Sequence, residues 1–251
     1  MTETITEPLP VNSEIWQETL QWQPSTAQQA LFDSLYQGVL DGNRQVNLTR
    51  ITEPAEFWEK HLWDSLSGLA PWYEPEKPEW LPTVKRVIDI GTGGGFPGVP
   101  VAISRPQWQV TLLDSTRKKI AFLETLCQQL GLTNTDCLVE RAETVGKDPK
   151  HRAQYDLAMV RAVGPASTCA EYALPLLKKS GFAIIFRGQW TDEEEELFMG
   201  ALDTLGGELV AVCSWETPLT QGNRHCLYIK KVAKTEKEFP RHVGIPAKHP
   251  L

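Results

Sequence analysis

Val87-Ile88-Asp89-Ile90-Gly91-Thr92-Gly93-Gly94-Gly95-Phe96-Pro97-Gly98 is the stretch whose reading decides the fold. A short apolar run enters glycines directly, and a helix start follows. Glycine lets the backbone turn sharply and lets a ligand approach the main chain closely. In open α/β sheets, ligands sit outside the carboxyl ends of the strands. The same alternation continues outward. Val110 to Asp114 reads as the next strand, and Arg117 to Leu130 as a helix stopped by Gly131. Asp136 to Glu140 and Leu157 to Val160 read as further strands. Cys169 to Leu177 reads as a helix with Pro175 near its end, and Phe182 to Phe186 as a strand. Asp192 to Leu205 is an acidic helix ended by Gly206-Gly207. Glu208 to Trp215 and His225 to Lys231 have no helix between them, which predicts an antiparallel pair. The expectation is an α/β chain with a doubly wound, mostly parallel seven-stranded sheet and an antiparallel edge hairpin.

Upstream, residues 1–80 read as a helical N-terminal appendage and linker. Ala27 to Leu40 has helical apolar spacing and meets a stop signal at Asp41-Gly42-Asn43. A loop, Arg44 to Arg50, leads to a second helix opening near Thr52, with Pro54 in its first turn. That helix carries Phe57, Trp58, His61, Leu62, Ser65, Leu66 and Leu69, and Glu74 to Pro82 reads as a proline-rich linker. Residues 81–235 form the expected ligand-binding domain and 236–251 a basic tail.

The chain has 251 residues and is 41% hydrophobic, enough for a sizeable core. No apolar run reaches the roughly 20 residues that span a membrane. The polar, acidic start MTETITEPLP lacks the features of a secretory signal. The cysteines Cys127, Cys137, Cys169, Cys213 and Cys226 are scattered and contain no C-x-x-C pair. They argue against a disulfide framework or a metal site and for a reducing, cytoplasmic setting. Net charge is −7, which by itself disfavours a nucleic-acid partner. The charge is uneven, however: Arg224, Lys230, Lys231, Lys234, Lys237, Arg241 and Lys248 outnumber the acids near the end. Such a tail is either a solvated, disordered end or an RNA-contacting one.

Gly93 to Gly98 formally spells the dinucleotide fingerprint, a weak signal on its own. Bulky Phe96 and Pro97, which has no N–H, occupy the section where a pyrophosphate needs backbone donors. Asp89, at the strand's end, is placed to face a ligand's cationic portion. Asp114 ends the next strand, where an acid accepts hydrogen bonds from ribose hydroxyls. Ser115 and Thr116 either join that site or cap the following helix. Ala142 and Glu143 are placed to read an adenine edge, and Arg161 ends the fourth strand. The loop suits an adenosyl ligand better than a diphosphate.

On these residues the chain resembles the RsmG (GidB) family of methyltransferases, which act on N7 of a guanosine in 16S ribosomal RNA. The resemblance runs from Leu31 to Leu251. It rests on Asn47-Leu48-Thr49, His61 with Asp64-Ser65, the Gly91–Pro100 loop, and Leu112-Leu113-Asp114-Ser115. Arg141-Ala142-Glu143, Arg161-Ala162-Val163 and the ending Phe239 to Pro246 complete it. It implies a Rossmann-like class I methyltransferase sheet and S-adenosylmethionine as cofactor. Gly91, Phe96, Asp114, Ser115, Thr116, Ala142, Glu143 and Arg161 would be cofactor contacts. Arg187-Gly188 departs from the Lys-Gly of many relatives.

Guanine N7 has a free lone pair, so its methylation requires no general base, and no catalytic residue is assignable. Holding N7 in line with the methyl group is the expected source of rate. Asn47, Arg50, His61, Asp64, Arg187 and Arg224 are candidates for the substrate side, and His61 and Asp64 can pair across a helical turn. The expected partner is 16S ribosomal RNA or the small subunit, met by a monomer without membrane attachment. A methyltransferase with another acceptor, a nicotinamide dehydrogenase and a non-catalytic cofactor-binding assembly module remain alternatives.

Overall fold

Val87, Ile88 and Ile90 are buried on both sides in β1 (Arg86–Ile90), the middle of a parallel array, which explains why the run is apolar without alternation. The computed structural model describes residues 7–76 and 78–251. Residues 1–6 of the polar start and Lys77 of the linker lie outside the described residues. The other strands are β2 (Gln109–Asp114), β3 (Thr135–Val139), β4 (Tyr155–Arg161), β5 (Leu177–Arg187), β6 (Gly207–Glu216) and β7 (Asn223–Lys231). They form a seven-stranded sheet in the order β3-β2-β1-β4-β5-β7-β6. β3, β2, β1, β4 and β5 are parallel, and β7 runs antiparallel between β5 and β6.

The helices are α1 (Ser13–Leu20), α2 (Thr26–Asn43), α3 (Pro54–Phe57), α4 (Asp64–Ser67), α5 (Ala70–Tyr73), α6 (Gly98–Ser104) and α7 (Arg117–Gln129). After them come α8 (Ala142–Val145), α9 (Ala166–Ala173), α10 (Asp192–Leu205) and α11 (Ile245–Lys248). α6 and α7 pack with Val87, Leu112 and Met159 on one face, and α9 and α10 with Ile88, Val160 and Ile185 on the other. The winding therefore reverses between β1 and β4, where an open sheet leaves a crevice.

The appendage has no core of its own. Trp16, Phe32, Trp58 and Trp63 are buried in the cluster that also holds Val87 and Leu112. Trp16 meets Trp58 edge-on at 5.0 Å.

α2 ends at Asn43, within the expected stop Asp41-Gly42-Asn43, and Phe122 of α7 packs where a side chain on Gly42 would stand. Two local readings are corrected. The helix read from Thr52 begins at Pro54 and widens into π-helical turns at Trp58–Trp63 between α3 and α4. The helix read from Cys169 to Leu177 begins at Ala166 and ends at Ala173. Pro175, which has no N–H to donate, lies in a short 3₁₀ turn after the helix, and Leu177 already starts β5.

The tail is not a solvated end. Phe239 and Pro240 are buried, and Arg152 donates to the carbonyls of Thr235, Glu236 and Phe239.

Candidate functional site

Gly91, Gly93 and Gly95 adopt φ of +74°, +58° and +100°, a region that side chains disfavour. These turns carry the chain from β1 into α6. The amides of Gly91 and Thr92 donate to the Leu113 carbonyl at 2.8 and 2.9 Å, which pins the loop onto β2. That brings Gly93 N within 3.0 Å of Asp114 Oδ2, while Thr116 N donates to Oδ1 at 2.8 Å. Asp114 is thus fixed by two main-chain donors at the wall of a cavity of about 190 Å³.

Gly91, Asp114, Ser115, Ala142 and Glu143 line this cavity, with Leu113 and Val163 as apolar walls. A Cβ on Gly91 would stand 2.6 Å from Val163 Cγ2, so only glycine leaves this cradle open. Each oxygen of Asp114 holds one N–H and keeps a further acceptor site, which suits the paired hydroxyls of a ribose. The set offers a diol acceptor and apolar walls, and no Lys-based phosphate cradle. It fits an adenosyl group. Among the described residues no cluster could hold a metal ion.

Asp89, Thr116, Phe96 and Arg161 lie outside this lining. Asp89 is fully buried beneath the loop, and its Oδ2 accepts the Gly98 N–H at 2.7 Å. The first amides of a helix need acceptors, so Asp89 anchors α6 and does not line the cavity. Its burial pushes the carboxyl up to about 6. Thr116 sits at the start of α7 with no side-chain cap, and it serves Asp114 through its main chain. Glu143 reaches the cavity wall, but its Oε1 also accepts from Gly244 N at 2.8 Å and from the Tyr172 hydroxyl at 3.3 Å.

Phe96 and Arg161 belong to a second group beside the loop. The Phe96 ring stacks on His61, centroids 4.3 Å apart and 10° from parallel. The Arg161 guanidinium lies 5.9 Å from the Phe96 centroid, and it donates to the Lys60 carbonyl at 3.0 Å and to Asp64 Oδ2 at 2.6 Å. Arg224 Nε donates to Asp64 Oδ1 at 3.0 Å, so one carboxylate holds two guanidiniums. His61 and Asp64 therefore do not pair with each other. His61 Nε2 instead meets the Thr49 hydroxyl at 2.7 Å. Burial, then Arg161 and Lys60, lowers the imidazole to about 3, so the ring is neutral near pH 7.

Asn47 and Arg50 are exposed on the loop before α3, whose Leu48 lies against Gly94. Arg187 stands apart from the second group. It projects from β5 toward the α10 side, donating to Gly164 O at 3.1 Å and to Glu194 at 2.9 Å.

Sequence reasoning missed Tyr172, Val163 and Ala247 as cavity walls, and the buried Glu171. Glu171 did carry a signal: it is an acid in the otherwise uncharged run Ala-Ser-Thr-Cys-Ala-Glu-Tyr-Ala.

The family model described as rRNA small subunit methyltransferase G (GidB) matches residues 28–232. The chain is 58% identical over 247 residues to the ribosomal RNA small subunit methyltransferase G of Trichormus variabilis, spanning 98% of this chain and 100% of that one. It is 54% identical over 236 residues to the protein of the same name from Synechococcus elongatus, spanning 94% and 95%. Among solved structures it is similar to the fibrillarin pre-rRNA processing protein of Methanococcus jannaschii, with TM-score 0.51, 16% identity and coverage of 67% and 76%. A 16S rRNA adenine-N1 methyltransferase from Catenulisporales acidiphilia gives TM-score 0.51, 17% identity and coverage of 61% and 87%. At such identities the structures share the fold alone.

Proposed function

The chain belongs to the rRNA small subunit methyltransferase G (GidB) family, and from that premise we propose that it methylates N7 of a guanine in 16S ribosomal RNA. It is an S-adenosylmethionine-dependent rRNA methyltransferase. The observation that carries the site assignment is Asp114, held by Gly93 and Thr116 with acceptor sites open to the cavity. Asp114 would bind the ribose, Gly91 would pass close beneath the ligand, and Ala142 and Glu143 would lie along the adenine.

S-adenosylmethionine supplies a methyl group on a positively charged sulfur, open to in-line displacement. The protein's work is to bring the purine nitrogen onto that line and exclude water. Guanine N7 gives up no proton. The side chains near the loop agree: His61 is neutral and tied to Thr49, and Asp64 is committed to two arginines. The Phe96–His61 stack and the Arg161–Asp64–Arg224 group would form the substrate-side wall beside the glycine loop. Reaching it requires the base to leave its stack.

In this reading the appendage (1–80) closes the substrate side, residues 81–235 hold the cofactor and 236–251 complete the site. The five cysteines are free, which fits a reducing cytoplasm. No helix among the described residues is long and apolar enough to cross a membrane. The chain would act as a monomer.

The test is methyl transfer from labelled S-adenosylmethionine to small-subunit RNA, or to subunits, from a strain lacking this protein, with mapping of the product. A single N7-methylguanosine is the expected result. Label on another base or atom would refute the N7 assignment, and no transfer to any form of that RNA would refute the substrate.

A further inference from the structure

We propose that the C-terminal segment 239–247 is the outer wall of the cofactor cavity, and that Arg241, Glu171 and Thr168 are the residues that position it. The proposal rests on reading the cavity as the S-adenosylmethionine site. Glu171 lies on α9, all of whose residues are buried, and is itself 0% exposed. A carboxylate that deep requires a partner and hydrogen bonds. Arg241 supplies them from the tail: its backbone N–H reaches Glu171 Oε1 at 2.7 Å, Nε reaches Oε1 at 3.0 Å, and a terminal nitrogen reaches Oε2 at 2.6 Å. The planar guanidinium fork suits this arrangement as no lysine can.

The anchored segment then runs over the cavity. Gly244, at φ +82°, turns the chain and donates its N–H to Glu143 Oε1 at 2.8 Å. The Thr168 hydroxyl donates to Pro246 O at 2.8 Å, and the next residue, Ala247, lines the cavity together with Gly91 and Asp114. Each of these anchors stands on α8 or α9, the elements that follow β3 and β4 at the crevice. Glu143 belongs both to the cofactor wall and to the tail's dock. The wall is therefore complete only when the tail is seated, and a ligand that needs the wall must also favour the seated tail.

None of the three residues touches the reacting atoms. Loosening the tail should therefore raise the KM and Kd for S-adenosylmethionine while kcat at saturating cofactor stays within about twofold. Thr168→Val removes one hydrogen bond without stranding a charge, and a rise in Kd of about fivefold is expected. Arg241→Lys keeps a charge but loses the fork, and a larger rise is expected. Arg241→Ala leaves the Glu171 carboxylate buried and unpaired, which costs fold stability, so the other two variants decide.

The experiment uses the full chain. It combines calorimetric binding of S-adenosylmethionine, a kcat and KM analysis, and hydrogen exchange of residues 243–249 with and without cofactor. Cofactor should slow exchange in this segment of the unsubstituted protein, and less so in Thr168→Val. Folded Thr168→Val and Arg241→Lys proteins with unchanged Kd, or with kcat reduced and KM unchanged, would overturn the proposal. Failure of the unsubstituted protein to bind the cofactor would instead overturn the reading of the cavity on which the proposal stands.

Discussion

Asp114 accepts two main-chain N–H groups and faces the cavity with what remains of its acceptor capacity. Hydrogen bonds to a charged group contribute about 1.5–3 kcal/mol each. Asp114→Ala should therefore weaken S-adenosylmethionine binding by about ten- to a hundredfold, as measured by calorimetry; binding within twofold of the unsubstituted protein would remove Asp114 from the site. His61 offers a pH test. Burial first, then the cations Arg161 and Lys60, lower its pKa to about 3, whereas an unfolded histidine titrates near 6.5. A depressed folded value means that the stability from burying the neutral ring is present above about 6.5 and is lost as pH falls toward 3. Relative to His61→Phe, the protein should lose about 1.4 kcal/mol per pH unit between pH 6 and 5, read from urea unfolding. A pH-independent difference would mean that the folded ring takes up its proton normally. Asp114 was legible because strand-end acids follow from the local pattern. The pairing of Arg161 with Asp64 was not, because those residues are 97 positions apart and meet only when the appendage folds onto the sheet.

At the scale of elements, the glycine loop is the part that local sequence dictates most fully. The φ values at Gly91, Gly93 and Gly95 are left-handed, and the residues that follow enter α6 directly. Gly91→Ala adds a backbone cost of about 1–2 kcal/mol to a contact with Val163 that something must move to relieve. It should lower unfolding stability by at least about 2 kcal/mol and abolish measurable cofactor binding, because the displaced group lies at the cavity wall. Retention of both would mean that the loop has an alternative turn. The β/α alternation and the closing hairpin were legible for the same local reason. Element ends were less so. α2 does end within Asp41-Gly42-Asn43, but the helix read from Cys169 to Leu177 begins at Ala166 and gives way to β5, and the packing of Gly42 on Phe122, far along the chain, left no local mark. Periodicity within one segment carries no information about that partner. The tail's placement was hidden likewise, since its positive charges gave no sign that Arg241 is matched to Glu171.

For the whole molecule, the question is how a chain of net charge −7 meets RNA. The answer must lie in where its cations stand. Arg161, Arg187, Arg224 and Arg241 are in ion pairs, and Lys231 is buried against two carbonyls, so none of these is a ready phosphate contact. Arg50, on the loop over the glycine turn, and Arg117, at the start of α7, are exposed, and neither forms an ion pair among the described residues. Both stand at the carboxyl edge of the sheet, beside the crevice. Each phosphate contact contributes a slope of about −0.7 to −0.9 to the dependence of log affinity on log salt. Arg50→Gln and Arg117→Gln should each raise the KM for RNA severalfold at moderate salt and flatten that slope by about one contact, while leaving S-adenosylmethionine affinity unchanged. Unchanged RNA KM and slope in both variants would move the RNA path away from this edge. The hollow around Lys147, Lys234 and Lys237 would then be the basic surface to replace next. It adjoins Lys231 and the start of β5, and its Lys147 stands just past α8, whose Ala142 and Glu143 line the cavity, so RNA held there would approach the cavity from the α8 side.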